Sequence, residues 1–296
     1  MIDRRLFLAG SGAVLLGNAK RAVDAALGSP FSRIEARLGP GGRLGVAALN
    51  TGTGELLTHR PNERFALCST FKLALAAAWL ARVEHGLASL GEQISFSAAD
   101  LTDYSPVTRV NVGRGRLSVE QLCAAVVEVS DNGAANLLLR PLGGPAGFTR
   151  LLRGWGDSAT RLDRFEEQLN TNMPGDPRDT TTPAAMLGLM RRLLVSNALT
   201  PASRGKLIGW MRSATAGLNR LRSGVPPNWI VGDKTGNGRN GAANDLAIAW
   251  PTGHSPILIA SYMSGGTADR AQRDAAHASV AAEVVQAFGF AAPRRA

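Results

Sequence analysis

Segments typical of β-strands lie near both ends of this 296-residue chain, and segments typical of helices fill the middle. The strands are predicted at Arg43–Asn50, Trp229–Thr235, Leu246–Trp250 and Ile257–Met263, and the last three are joined by short turns with Gly beside Asn or Pro. Strands at both ends with helices between them imply a sheet built from the two termini. The sequence therefore predicts an α/β (α+β) fold, with an antiparallel sheet built from both chain ends, flanked by helices, and an inserted all-helical domain.

The helical domain is predicted to span residues 61–212, and the sheet domain residues 26–60 and 213–296. Three helix starts in the helical domain are marked by an N-cap residue with a capping-box partner or a first-turn proline: Ser118 with Gln121, Thr182 with Pro183, and Thr200 with Pro201. Two further helices are predicted at Ser29–Leu38 and Ala268–Phe288. The segment 171–181, rich in Asn, Pro, Gly, Asp and Thr, is interpreted as an ordered surface loop.

The composition is that of a folded globular protein, with 45% hydrophobic and 19% charged residues. The formal net charge is +10, and almost all of the basic excess is arginine. Because no basic run exceeds two residues, we expect a dispersed surface that attracts small anions rather than a nucleic-acid site. Neither a metal nor a cofactor is expected, since the four histidines are scattered and interpreted as surface or turn residues: His59, His85, His254 and His277.

Residues 1–25 are interpreted as an export signal. Arg4 and Arg5 precede the apolar segment 6–16, which is too short to anchor the chain in a bilayer, and small residues follow near Ala25. The run from Asp3 to Leu8 is similar to the twin-arginine export pattern, with an ordinary signal as the alternative. We expect an exported protein, periplasmic or secreted, without a stable membrane anchor after signal removal.

A serine and a lysine stand one helical turn apart in an apolar stretch of the helical domain. Lys72 is the only charged residue from Phe71 to Ala81, so it is expected to be buried at low dielectric. Ser69 lies three residues earlier on the same face, where the lysine amine can reach its hydroxyl. Burial can make a lysine a base, and backbone N–H groups at the helix start can stabilise an oxyanion. Ser203 and Lys206 repeat the spacing on what we interpret as the exposed face of an ordinary helix.

Two further motifs carry polar side chains suited to the same site. Ser130-Asp131-Asn132 follows a predicted helix end, where Ser and Asn can point into a cleft and Asp can bind the loop backbone. Lys234-Thr235-Gly236 lies on a predicted strand, where a charge and a hydroxyl can meet a carboxylate and the glycine makes room for a ligand. Taken alone, each motif is better explained without a function, the first as a plain helix cap and the second as a surface lysine before a turn. Beyond residue 25, however, only three lysines remain, and two of them lie in the three motifs: Lys72 beside Ser69, and Lys234 here.

Together with Ser69-Thr70-Phe71-Lys72, these motifs are similar in order and spacing to those of the class A serine β-lactamases, over roughly residues 30–290. The resemblance implies that Ser69 attacks a β-lactam carbonyl, that Lys72 helps to activate it and that Ser130 relays a proton to the leaving nitrogen. It also implies how the substrate is bound. Lys234 and Thr235 would bind its carboxylate, and Gly236 would leave room for it along the strand edge. Asn132 would hold the side-chain amide, the N–H groups of Ser69 and Asn237 would bind the oxyanion, and Tyr104 would line the entrance.

A fourth motif, Arg164 to Asn170, adds a carboxylate. By the same resemblance, Glu166 and Asn170 hold the water that removes the acyl group, and Glu166 acts as its general base. Arg164 and Asp179 match the ion pair that pins the Ω-like loop 164–179 in this family. Whether Lys72 or Glu166 takes the serine proton during acylation is left open by the sequence.

The chain departs from the family pattern at several positions. Glu167 stands where proline is usual, which alters the backbone that aims the preceding carboxylate. Arg220 is interpreted as the carboxylate-binding arginine of one subset of the family, because no arginine occurs from 244 to 250. Gly238 replaces the cysteine that some members bridge to the position of Cys68, so that disulfide is absent. Cys68 lies beside the predicted nucleophile and Cys123 in a separate helical run, so we expect two free, packed thiols rather than a bridge between them.

We therefore expect a cofactor-free monomer that hydrolyses the β-lactam ring of penicillins and cephalosporins through an acyl-serine intermediate, conferring antibiotic resistance. A D,D-peptidase or penicillin-binding protein shares the first three motifs but lacks a matched water-activating loop. A non-hydrolysing β-lactam sensor needs a retained membrane anchor, for which the sequence has no second apolar span. The preference among penicillins, cephalosporins and carbapenems is not readable from the sequence.

Overall fold

The two ends of the chain meet in one antiparallel sheet. The computed structural model describes residues 29–291. The strands of its main sheet are β1 (Arg43–Asn50), β2 (Leu56–His59), β7 (Ile230–Asn237), β8 (Ala243–Trp250) and β9 (Ile257–Ser264). Their order is β2-β1-β9-β8-β7, and β1 pairs with β9 along its whole length, from Arg43 opposite Ser264 to Asn50 opposite Ile257. The predicted fold class is confirmed.

Nine α-helices lie within the described residues 29–291, and several of them cover the sheet. They are α1 (Pro30–Ala36), α2 (Phe71–Glu84), α3 (Pro106–Val110), α4 (Val119–Glu128), α5 (Asn132–Leu139), α6 (Gly144–Gly154), α7 (Pro183–Leu194), α8 (Pro201–Arg212) and α9 (Arg270–Ala287). One face of the sheet packs on α1 and α9, and the other packs on α7 and α8. Successive residues of β1 show this division, since Val46 packs in the core under α1 and α9, and Ala47 in the core under α7 and α8.

The predicted helix starts are those of α4, α7 and α8. The Ser118 hydroxyl accepts a hydrogen bond from the Gln121 N–H at 3.2 Å, and the Gln121 side chain accepts one from the Ser118 N–H at 3.0 Å. The hydroxyls of Thr182 and Thr200 cap α7 and α8 by accepting from the N–H groups of Ala185 and Ser203, each before a first-turn proline. Side-chain oxygens thus satisfy backbone donors that the first helical turn leaves free.

The stretch predicted as all-helical also contains four short strands. β3 (Phe65–Ala66) pairs with β6 (Thr180–Thr181), and β4 (Gln93–Ser95) pairs with β5 (Arg116–Ser118). These two-stranded ladders are too short to give a readable alternation in the sequence. The first ladder matters for the site, because it joins the segment before Ser69 to the end of the loop 171–181, whose last two residues are buried.

Several strand ends differ from the prediction, because the residues there are not part of an apolar pattern. β8 begins at Ala243 rather than Leu246, because Asn244 and Asp245 are fully buried and extend the ladder. β7 continues through Gly236 to Asn237, and β2 was not predicted at all, since half of its residues are exposed. An apolar pattern does not mark such positions, although the backbone pairs there.

The division into domains at residues 60/61 and 212/213 stays a prediction, and the predicted export signal lies outside the described residues. Within residues 29–291, no helix combines the length and the apolar character that crossing a membrane requires.

Candidate active site

Ser69 lies at the start of α2 in a 3₁₀ turn that spans Cys68–Thr70. The lysine one turn later is fully buried, and its ammonium lies among oxygen atoms of four residues. Lys72 Nζ is 3.0 Å from Ser69 Oγ, 2.9 Å from the Ser130 carbonyl oxygen, 2.5 Å from Asn132 Oδ1 and 2.8 Å from Glu166 Oε1. These contacts satisfy a charge that would otherwise be costly at this depth.

The Ser130-Asp131-Asn132 loop follows α4 and is held by its aspartate. Asp131 caps α5 by accepting from the Ala134 N–H, and it also accepts from the N–H groups of Val107 and Thr108, each at 2.8 Å. It therefore fixes a neighbouring segment as well as its own loop. Ser130 has a positive φ of 61°, and Lys234 Nζ donates to its hydroxyl at 3.1 Å. The hydroxyl is also 3.4 Å from Lys72 Nζ, so it lies between two lysines.

Glu166 reaches the nucleophile from the Ω-like loop. Its Oε1 lies 3.4 Å from Ser69 Oγ, and its Oε2 accepts from Asn170 Nδ2 at 2.6 Å. The side chain is buried, and its backbone is gripped by Asn136: the Glu166 N–H donates to Asn136 Oδ1 and the Glu166 carbonyl accepts from Asn136 Nδ2, each at 2.9 Å. The peptide bond between Glu166 and Glu167 is cis.

The Ω-like loop is closed at its neck by Asp179. Its carboxylate is fully buried and pairs with Arg164 Nε at 2.5 Å, while its other oxygen accepts from the N–H groups of Asp163 and Arg164. The Asp179 carbonyl accepts from the Leu67 N–H, which ties the loop to the segment before the nucleophile. Asp179 thus couples the Glu166 loop to the segment before Ser69, through its carboxylate on one side and its backbone carbonyl on the other.

Lys234, Thr235 and Gly236 lie on β7 beside the start of α2. Lys234 is almost fully buried, and burial lowers its pKa to about 7, with a further contribution from the positive charge of Lys72. A side chain at Gly236 would lie 3.1 Å from the Ser69 nitrogen, so the glycine lets the strand approach the nucleophile closely. The strand therefore places Lys234 next to Ser130 and Gly236 next to Ser69.

Arg220 lies behind this edge and is 2% exposed. Its guanidinium donates to Asn237 Oδ1 at 2.5 Å and to the Asn244 carbonyl at 2.8 Å, and it pairs with Asp274 at 2.6 Å. The predicted carboxylate-binding arginine is thus placed against Asn237, whose side chain is exposed.

Tyr104 and Glu167 form an exposed rim beside Asn132. Glu167 Oε1 accepts from the Tyr104 N–H at 3.2 Å and from Asn132 Nδ2 at 3.4 Å. Tyr104 is 54% exposed, and its backbone carbonyl accepts from the Asn132 N–H. The residue that departs from the family pattern therefore contacts two predicted substrate-binding residues.

The structure brings together the predicted site residues and adds two that sequence reasoning missed. Asn136 holds Glu166, and Asn244 donates to the carbonyls of Ala66 and Leu67 at 2.8 and 3.0 Å, which binds the nucleophile segment to β8. Asn136 had one available signal, since it follows Asn132 by one helical turn. The repeated spacing at Ser203 and Lys206 lies outside the site, in α8, where the lysine pairs with Glu120.

Cys68 and Cys123 are free and buried, in agreement with the sequence. A side chain at Gly238 would lie 2.7 Å from Cys68 Sγ, so the packing leaves no room for one. The assignment of His277 to the surface is wrong: it is fully buried between Ser261 Oγ and the Ala243 carbonyl. Among residues 29–291, no three His, Cys, Asp or Glu side chains converge to hold a metal ion.

A serine at a helix start, a buried lysine, a second serine and a carboxylate within reach define the class of serine enzymes that work through an acyl intermediate. Residues 30–288 match the model of the "Beta-lactamase enzyme family". This chain belongs to that family, as a class A serine β-lactamase, a hydrolase that acts on cyclic amides.

Its relatives share most of their length with it. "Beta-lactamase AST-1" of Nocardia asteroides is 44% identical over 94% of this chain and 89% of its own. "Carbapenem-hydrolyzing beta-lactamase KPC" of Klebsiella oxytoca is 41% identical over 93% of each chain. The solved structure of "Ancestral (GNCA) Beta-lactamase class A" is 51% identical, with a TM-score of 0.85 over 87% of this chain and 98% of its own.

Proposed function

We propose that this chain hydrolyses the β-lactam ring of penicillins and cephalosporins through an acyl-serine intermediate on Ser69, and that it thereby confers antibiotic resistance. The observation that carries the proposal is the position of Glu166 Oε1, 3.4 Å from Ser69 Oγ and 2.8 Å from Lys72 Nζ. A carboxylate at this distance can activate a water molecule against an ester formed on that serine. This distinguishes a hydrolase from a protein that is only trapped by the drug.

In the acylation step, Ser69 Oγ attacks the lactam carbonyl and loses its proton to a nearby base. Lys72 and Glu166 both lie within reach of that proton, at 3.0 and 3.4 Å. Ser130 Oγ is suited to pass a proton to the leaving nitrogen, because it lies between Lys72 and Lys234. The C–N bond of the ring breaks, and the nitrogen takes up that proton.

Several groups around Ser69 are suited to hold the substrate. The N–H groups of Ser69 and Asn237 would bind the developing oxyanion. Lys234 and Thr235 would bind the carboxylate, with Gly236 leaving the strand edge open to the ligand, and Arg220 would add positive charge from behind Asn237. Asn132 Nδ2 would bind the side-chain amide, with Tyr104 at the entrance.

Deacylation is the task proposed for Glu166 and Asn170. The Asn170 amide donates to Glu166 Oε2, and its own Oδ1 is a buried acceptor without a hydrogen-bond partner among the described residues. Such an acceptor suits a donor such as the attacking water. Asn170 would orient the water while Glu166 takes its proton. The water oxygen would then attack the ester carbonyl, and the bond to Ser69 Oγ would break. Ser69 Oγ would regain a proton from Glu166, and the acyl group would be released as a carboxylic acid.

We also propose the setting in which the enzyme works. Residues 1–25 would direct export, by the twin-arginine route, to the periplasm or beyond the cell. The mature chain would act as a monomer, with a sheet domain of residues 26–60 and 213–296 and a helical domain of residues 61–212. The intact mass of the exported protein tests whether residues 1–25 are removed, and its sedimentation tests whether it is a monomer.

The experiment follows ring opening of a chromogenic cephalosporin together with the intact mass of the protein. Many turnovers per molecule are expected from the parent, while a single stoichiometric burst would instead support a D,D-peptidase or a sensor. Ser69→Gly is expected to abolish the adduct, and Ser203→Gly, which carries the repeated spacing outside the site, to leave it intact. The reverse result would reject Ser69 as the nucleophile.

A further inference from the structure

Glu167 places a second carboxylate at the mouth of the site, next to the buried Glu166. Its side chain is exposed, and its Oε1 accepts from the Tyr104 N–H at 3.2 Å and from Asn132 Nδ2 at 3.4 Å. Both distances are at the long end for N–H···O hydrogen bonds, so a better acceptor can replace Glu167 on these donors.

The orientation of the Asn132 amide explains why Glu167 matters to a ligand. Asn132 Oδ1 accepts from Lys72 Nζ at 2.5 Å, so the Nδ2 group is turned to the opposite side, toward Glu167. In the proposed function, this same Nδ2 group binds the carbonyl of the substrate's acylamino side chain. Glu167 therefore occupies, in the free protein, the acceptor position that this carbonyl takes.

The charge of Glu167 differs from that of its neighbour. Glu166 is paired with Lys72, whereas Glu167 takes part in none of the ion pairs formed within residues 29–291. The carbonyl of the substrate's side chain would displace Glu167 from Asn132 Nδ2. A substituent on the carbon bonded to that carbonyl would therefore lie beside the position that the Glu167 carboxylate has left. A cation there meets an unpaired carboxylate, and an anion there is repelled by it.

We propose that Glu167 determines specificity by favouring β-lactams whose acylamino side chain carries an ammonium group next to the carbonyl, and by disfavouring those that carry a carboxylate there. The inference rests on the proposed function and deepens it by naming the substrate class. A merely structural role of Glu167 on the Tyr104 backbone would instead change all substrates equally.

The test compares kcat/KM for three penicillins that differ only at this carbon: ampicillin with an amine, benzylpenicillin with hydrogen and carbenicillin with a carboxylate. Measurements are made at about pH 6, where an α-amino group is protonated. Glu167→Gln keeps the size and the acceptor but removes the charge. It is expected to lower the ampicillin-to-benzylpenicillin ratio by about two- to five-fold and to raise the carbenicillin-to-benzylpenicillin ratio by a similar factor, as for an exposed ion pair.

The matched control is Asp103→Asn, which removes one exposed carboxylate beside Tyr104 without touching Asn132. It is expected to leave both ratios unchanged, and an equal shift in this variant would overturn the inference. In the parent, added salt should reduce the preference for ampicillin, while Glu167→Gln should be insensitive. The salt dependence of the parent does not depend on how the variant folds, and a parent whose preference salt leaves unchanged would also overturn the inference.

The outcomes separate this inference from the proposed function. Turnover of benzylpenicillin with ratios that Glu167→Gln does not move, or with one uniform loss for all three penicillins, overturns the role of Glu167 alone. No turnover of any of the three by the parent overturns the proposed function and this inference with it.

Discussion

Asn136→Ala removes the side chain that holds the Glu166 backbone, and its effect follows from two hydrogen bonds. Both are 2.9 Å long, and both end on backbone groups of a buried residue. Losing both hydrogen bonds costs about 2–4 kcal/mol of unfolding free energy. For a chain of this size, that corresponds to a fall in Tm of about 4–16 °C. A carboxylate displaced by about 1 Å also slows its step by about 100-fold.

The assay combines thermal unfolding with separate rates for formation and loss of the acyl adduct, read by stopped-flow absorbance and quenched intact mass. Asn50→Ala is the control, because Asn50 is buried and also binds two backbone groups, the N–H groups of Gly52 and Thr53, but far from the site. We expect both variants to be destabilised and only Asn136→Ala to accumulate adduct. If Asn136→Ala lost stability but cleared its adduct as fast as Asn50→Ala, the reasoning that Asn136 aims Glu166 would be refuted.

Two further predictions concern charge. Because burial lowers the pKa of Lys234 to about 7, its ammonium is present below that pH and lost above it, so kcat/KM for benzylpenicillin should fall by up to about ten-fold per pH unit above about pH 7. Lys234→Arg should move this fall to higher pH, and a pH profile shared with the parent would contradict the assignment. Asp179→Asn leaves Arg164 without its buried partner and should cost up to about 3 kcal/mol, with faster hydrogen exchange across residues 161–179. Exchange at the parental rate would show that the ion pair does not hold the loop.

The fold was predictable because its main elements carry local signals. The strands β1, β7, β8 and β9 are apolar enough to read, and the caps at Ser118, Thr182 and Thr200 stand beside the residues they bind. Elements stabilised by distant partners were not predictable. β2 and the β3–β6 ladder exist because another strand lies beside them, and that neighbour is set by the whole fold.

The candidate site shows the same limit. The spacing of Ser69 and Lys72 within one helix turn predicted their contact, and the structure places the two atoms 3.0 Å apart. The grip of Asn136 on Glu166 spans 30 residues of sequence and carries no spacing rule. Glu167 was identified as a departure from the family pattern, but only the structure shows that its carboxylate meets Asn132. His277 was wrongly predicted to be at the surface for a related reason: helix α9 packs on the sheet and buries its ring between two hydrogen-bond partners.

The account depends on the Glu166 carboxylate releasing the acyl group from Ser69. The most direct measurement is the intact mass of Glu166→Ala after mixing with benzylpenicillin, with peptide mapping of the modified residue. We predict a persistent adduct on Ser69 in the variant, while the parent returns to its original mass. A variant that clears the adduct as fast as the parent, or a parent that keeps it, would contradict the account.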